Sequence, residues 1–199
     1  MPLQILPFIS FVSLAGILMV RLIYLRKNGI RVSSKNGNQN KHIKYYLPVF
    51  GLIFILWIFE IFRAAFQITF SVLPNLFTKF LFTYHFISLT GSVLLLFSLV
   101  FWSATLLHFK NSLRFGLNEK NRGKLITSGV FSFSRNPFFL SLDIYFVAVA
   151  LILPNLFFIL FTLSAVISIH FFILKEERFM KENYGEEYLQ YMRKTKRFL

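Results

Sequence analysis

The chain has no cysteine among its 199 residues, which removes disulfides, thiolate metal sites and cysteine nucleophiles from consideration. Acidic side chains are scarce, eight Asp and Glu against 22 Lys and Arg, and charged residues make up only 15%, where a soluble domain averages about 25%. With 56% apolar residues, that scarcity excludes both an ordinary soluble enzyme and a disordered chain. The sequence lacks a His-x-x-x-His or comparable ligand set, so no metal centre is expected. It lacks Gly-x-Gly-x-x-Gly, the dinucleotide fingerprint. Nothing basic precedes the first apolar stretch, which therefore reads as a retained span and not as a secretory leader. Internal repeats and low-complexity tracts are absent too.

What the sequence does have is 28 Phe and long uncharged runs. A bilayer-spanning helix needs about 20 mostly apolar residues, and five segments qualify or nearly so: 2–20, 46–66, 80–107, 137–153 and 156–174. The expected fold is all-α, an integral-membrane bundle of about five transmembrane helices ending in a cytoplasmic C-terminal helix. Pro154-Asn155 leaves too short a connection for anything but an antiparallel hairpin of spans four and five, so residues 136 and 176 meet at one membrane face. The formal charge of +14 suggests nucleic acid or an anionic membrane. The basic residues, however, sit between apolar runs and not on a soluble body, so no nucleic acid is expected. Seven fall in the loop after span one, six after span three and seven in the tail; only Arg63 and Lys79 lie elsewhere. The positive-inside rule then puts the N-terminus outside and the C-terminus in the cytoplasm, and the Phe-, Lys- and Asn-rich composition hints at a bacterial plasma membrane.

Two polar clusters flank the hairpin: GKLITSGVFSFSRNPFF at 123–139 and KEERFMKENYGEEYLQYMRKTKRFL at 175–199. In the first, Pro137 opens a helix and Asn136 is placed to cap it; free N–H groups at such a terminus favour polar ligands. In the second, Glu176 and Glu177 directly follow an apolar span, where a carboxylate either faces water on an interfacial helix or holds a cationic group by charge-assisted hydrogen bonds. Within the spans, Asp143 is ionisable and one turn beyond Phe139, so it either lines the same cavity or pairs with a neighbouring span. His108 closes span three, as a base or as an interfacial residue. Glu60 and Arg63, three apart, are expected to pair.

Leu125, Ile126, Thr127, Gly129 and Phe131, then Arg135, Asn136, Pro137 and Phe139, then after the hairpin Glu176, Glu177, Tyr184, Gly185, Glu187, Tyr188, Tyr191 and Arg197, form an ordered set. In order and spacing it resembles the isoprenylcysteine carboxyl methyltransferase and phospholipid methyltransferase group of integral-membrane enzymes. The resemblance covers about 105–199 and divides one membrane domain into variable spans over 1–104 and a cofactor-binding half over 105–199. It implies an S-adenosylmethionine-dependent methyltransferase acting on a lipophilic acceptor, an isoprenoid, a lipid or a similar small molecule, at the cytoplasmic interface. The implied cofactor residues are Gly116, Gly123, Lys124, Leu125, Ile126, Phe131, Asn136, Pro137, Phe138, Phe139, Glu176 and Glu177, with Glu176 taking a polar group of the cofactor. His108 and Asp143 are the candidate catalytic groups, wanted when the acceptor must lose a proton. The chain departs from the family pattern in three places. Phe131 and Phe139 replace tyrosines. Phe172 stands where the isoprenylcysteine enzymes carry an Arg for the substrate carboxylate, which argues against a prenylcysteine acceptor. Other readings stay open: a steroid-reductase-like NADPH enzyme, whose Gly-Glu after the Arg-x-Pro stretch is missing here, or a non-catalytic membrane protein on the same scaffold. The sequence does not give the oligomeric state.

Overall fold

The computed structural model describes residues 2–28, 41–109 and 125–198. A 3₁₀ turn at Pro2–Ile5 leads into α1 (Leu6–Lys27). There follow α2 (Lys41–Ala65), the single turn α3 (Asn75–Thr78), α4 (His85–His108), a 3₁₀ turn at Gly129–Ser132, α5 (Pro137–Ile152), α6 (Leu156–Tyr184) and α7 (Glu186–Lys194). Among the described residues no strand forms, and the fold is the all-α membrane bundle the sequence implies. Four helices are long and apolar enough to cross a membrane. The fifth apolar helix, α5, has 16 residues, or about 24 Å at 1.5 Å per residue against a hydrocarbon layer of about 30 Å. By the same measure α6, with 29 residues, runs about 43 Å. Its last turns, which carry Glu176 and Glu177, therefore project beyond the apolar layer.

The helix limits differ from the sequence reading in two instructive places. Residues 80–84 are extended rather than helical, because Phe80 bridges Asn155 and the Leu81 N–H donates to the Pro154 carbonyl at 2.8 Å. The start of the hairpin thus takes up backbone groups that a helix would have satisfied internally. The helix of span five continues past residue 174 to Tyr184, and Gly185, at φ +52°, breaks it from α7.

Trp57 is the hub of the core. Its ring stacks on Phe54 and Phe161 and meets Phe11, Phe146 and Phe158 nearly edge-on, joining α1, α2, α5 and α6. Such pairs contribute roughly 0.5–1.5 kcal/mol each beyond area burial. Helix α4 packs most extensively on α5, and Gly91 permits it: a Cβ there would lie 3.0 Å from the Ala148 carbonyl oxygen and 2.9 Å from Leu151 Cβ. Polar ties within the bundle are few and paired. The Tyr145 hydroxyl donates to the Pro7 carbonyl at 3.2 Å, Thr162 to the Phe146 carbonyl at 3.0 Å, and Arg63 pairs with the fully buried Glu60 at 2.8 Å. The outward side chains, such as Leu52, Phe86, Val100 and Phe171, are as apolar as the buried ones, as expected of a body whose solvent is lipid.

Candidate functional site

One membrane face collects the ends of α1 and α4, the start of α5 and the end of α6, and among the described residues it carries most of the basic side chains. Here the segment before α5 and the C-terminal tail are bound together through Glu177. Its Oε1 accepts from Arg135 Nη2 at 2.8 Å and Nε at 3.2 Å, and its Oε2 from Arg197 Nη2 at 2.8 Å and Nε at 3.1 Å. Both contacts are two-pronged, the geometry a planar guanidinium favours. Arg135 and Glu177 are nearly enclosed, with side chains 8% and 4% exposed. The hydrogen bond to Glu177 holds Arg197 more firmly protonated than a free guanidinium, with burial opposing it only in part.

Around this centre the tail is stitched to the segment before α5. Arg135 Nη1 donates to the Thr195 and Met192 carbonyls at 2.8 and 3.2 Å, and the Arg135 backbone N–H to the Lys196 carbonyl at 3.0 Å. The Ser134 hydroxyl donates to the Arg197 carbonyl at 3.1 Å. Asn136 stands at the cap position of α5, as the sequence suggests, but does not cap the helix. Its Nδ2 is spent on the Arg197 carbonyl at 3.3 Å and Glu177 at 3.4 Å. On the far side of the clasp the Tyr191 hydroxyl donates to the Phe131 carbonyl at 2.6 Å. Phe131, Tyr188 and Tyr191 form a small core beside Leu125 and Ile126. Burial pushes both phenols up, Tyr191 to about 12 although Arg135 pulls it down.

Glu176, next to Glu177, is half-buried and has no hydrogen bond or ion pair among the described residues. The two adjacent carboxylates thus differ: Glu177 is saturated by arginines and Glu176 is available. An aromatic chain links the end of α4, the turn before α5, the start of α5 and α6. Phe131 meets Phe109 edge-on at 5.1 Å, and Phe109 meets Phe138 at 6.5 Å. Phe138 touches Trp102 at 5.9 Å and Phe139 at 5.5 Å, and Phe139 lies 5.3 Å from Phe172 of α6.

His108 ends α4 with Nδ1 2.8 Å from the Ala104 carbonyl. A carbonyl oxygen only accepts, so Nδ1 carries the proton, and a neutral ring keeps its lone pair on Nε2. The ring packs on Gly129, at φ +66°, where any Cβ would overlap His108 Cδ2 and Nε2. Gly129 is thus required twice, for its backbone and for the space above it.

The structure therefore gathers His108, Leu125, Ile126, Phe131, Asn136, Pro137, Phe138, Phe139, Glu176 and Glu177 around one face. Asp143 lies about two turns deeper in α5, its Oδ1 enclosed and without a hydrogen-bond partner among the described residues. Gly116, Gly123 and Lys124 fall outside the described residues. Sequence reasoning gave no role to Trp102, Ser134 or the carbonyls of Met192 and Thr195. Ser134 and Trp102 offered no signal, and backbone acceptors offer none in any sequence. The presence of two arginines, Arg135 and Arg197, for so few carboxylates was a usable hint.

The family model for phospholipid methyltransferases matches residues 85–187. The chain belongs to the phospholipid methyltransferase family. It is a multi-pass membrane methyltransferase, and the match runs from the first residue of α4 through the start of α7. It includes Arg135, Asn136 and both glutamates, while Arg197 and the tyrosines of α7 lie beyond it. A comparison with curated proteins found no match.

Proposed function

We propose that the chain transfers a methyl group from S-adenosylmethionine to a lipophilic acceptor that reaches the basic face from within the bilayer. The family match over 85–187 carries this reading. Glu176, half-buried and without a partner among the described residues, stands one helical turn after Phe172, where the aromatic chain ends; a carboxylate and flat rings suit the cofactor, which is cationic at its sulfonium and amino groups and flat at its adenine. In this reading Leu125, Ile126, Phe131, Asn136, Pro137, Phe138 and Phe139, together with Gly116, Gly123 and Lys124, cradle the cofactor, while Glu177 acts through the clasp that holds this segment against the tail. S-adenosylmethionine supplies the electrophilic methyl group. The chain supplies alignment, which is worth roughly 7–11 kcal/mol of barrier when both reactants are held, and exclusion of water. Where the acceptor must shed a proton, His108 Nε2 and Asp143 Oδ1 are the groups able to take it. Among the described residues most basic side chains lie on one face, which supports a cytoplasmic C-terminus and an outside N-terminus.

Calorimetric titration of S-adenosylmethionine and its demethylated product into detergent-purified protein tests the reading. Wild-type protein is expected to bind both, and Glu176→Gln to weaken binding about tenfold, or about 1.4 kcal/mol. Well-folded wild-type protein that binds neither would overturn the cofactor assignment, and NADPH would be titrated next.

A further inference from the structure

The last turns of α6 and the tail carry charges sorted by sign along the direction out of the membrane. From Glu177, α6 runs about 12 Å further out to the break at Gly185. Helix α7 then covers about 12 Å and ends back at the clasp, where Arg135 Nη1 holds the Met192 and Thr195 carbonyls at 3.2 and 2.8 Å. The exposed Glu182, Glu186 and Glu187 therefore stand toward the bend, farther from the apolar layer than the clasp. The exposed Lys175, Arg178, Lys194 and Lys196 stand at the level of the clasp.

The clasp marks the edge of the apolar layer. After Arg197 the chain turns inward, and the Phe198 ring stacks on His170 at 6.3 Å between centroids. His170 lies in the apolar stretch of α6, about 10 Å along the helix before Glu177. Phe171 and Leu174, just before Lys175, are exposed apolar side chains that require lipid. The four cations are thus at the depth of lipid headgroups. Among the described residues none of them has an ion pair or a side-chain hydrogen bond, whereas Arg193 reaches Glu186 at 3.7 Å. Of the acids at this level, Glu177 is neutralised by two arginines and Glu176 is half-buried. Each Lys or Arg near an anionic membrane surface favours contact by about fivefold, an attraction that fades within about 10 Å. The acids toward the bend, about 8–12 Å further out, are far enough for salt to screen them from the rim.

We propose that Lys175, Arg178, Lys194 and Lys196 form a rim that binds the headgroups of anionic lipids in the leaflet on this side. The proposal stands apart from the cofactor assignment and does not depend on it. Full-length protein in phosphatidylcholine vesicles is probed with spin-labelled phosphatidylglycerol and, separately, with spin-labelled phosphatidylcholine. Electron paramagnetic resonance then gives the fraction of each label held at the protein surface. Wild-type protein is expected to prefer the anionic label by about two- to fivefold, and less so at high salt. Lys175→Gln, Arg178→Gln, Lys194→Gln and Lys196→Gln combined should cut that preference by about half or more. Lys194→Gln with Lys196→Gln should lower it in part, a readout that survives if the fourfold variant does not fold. Glu182→Gln, Glu186→Gln and Glu187→Gln combined should leave it unchanged. Inorganic phosphate should compete no better than chloride at the same ionic strength. No anionic preference in wild-type protein, or one that survives removal of the rim cations, overturns the proposal. So does a selective loss with phosphate, which marks a site for the free anion. A rise in the variant lacking the three glutamates places those acids among the headgroups and refutes the sorting of charge.

Discussion

Glu177→Gln separates a structural carboxylate from a ligand-binding one. In the native protein two guanidiniums share one carboxylate, and Arg135 is almost fully enclosed. Removing one partner from a buried ion pair costs about 3–5 kcal/mol. Two features reduce this. Glutamine keeps one acceptor oxygen in nearly the same place, and Arg197 is about a third exposed, so water compensates its charge in part. A cost of about 2–4 kcal/mol remains for the docking of the tail, roughly a 30- to 900-fold shift toward the undocked form. Hydrogen exchange over residues 186–197 and tryptic cleavage at Arg193, Lys194 and Lys196 both report that docking. Exchange and cleavage should accelerate by that factor in Glu177→Gln, and further in Arg135→Gln, which also loses the bonds to the Met192 and Thr195 carbonyls. Glu176→Gln should leave both rates at wild-type values. If Glu177→Gln keeps a protected tail while losing cofactor affinity, Glu177 is a ligand and the clasp argument fails.

Further expectations concern packing, the turn before α5 and pH. Gly91→Val should lower the melting temperature, because its side chain meets the Ala148 backbone oxygen, which cannot swing aside; replacing Gly51, where an added Cβ has nothing within 4 Å, by alanine should not. Gly129→Ala should destabilise by about 1–2 kcal/mol for its left-handed backbone alone and by more for the overlap with His108. A double-mutant cycle with His108→Ala, followed by thermal melting, should recover only the steric part, and an additive cycle would refute the contact. The Tyr191 phenol is raised to about 12 from an unfolded value near 10. Its contribution to the clasp is therefore complete below about pH 10 and lost as pH climbs toward 12. Undocking of the tail across that window, followed by the fluorescence of a label on the tail, should be smaller in Tyr191→Phe than in wild-type protein but not absent, because burial also raises Tyr188.

The sequence by itself determined the class of molecule. Uncharged runs of bilayer length admit only helices when every backbone polar group must be satisfied internally, and Pro154-Asn155 forced the hairpin that brings residues 136 and 176 to one face. The order of Arg135-Asn136-Pro137, Glu176-Glu177 and the tyrosines carried the family, because such short-range patterns survive in one dimension. The Glu60–Arg63 pair was legible for the same reason, as neighbours on one helical turn. Tertiary structure alone decided what each carboxylate does. Glu176 and Glu177 are adjacent and chemically identical, yet successive residues of a helix point about 100° apart. One therefore meets two arginines, from positions 42 and 20 residues away in sequence, and the other meets none among the described residues. The same reasoning covers Asn136, spent on the tail and not on its helix, and residues 80–84, held extended by the hairpin turn. It also covers Trp102, whose N–H has no acceptor among the described residues, a fact no sequence position reveals.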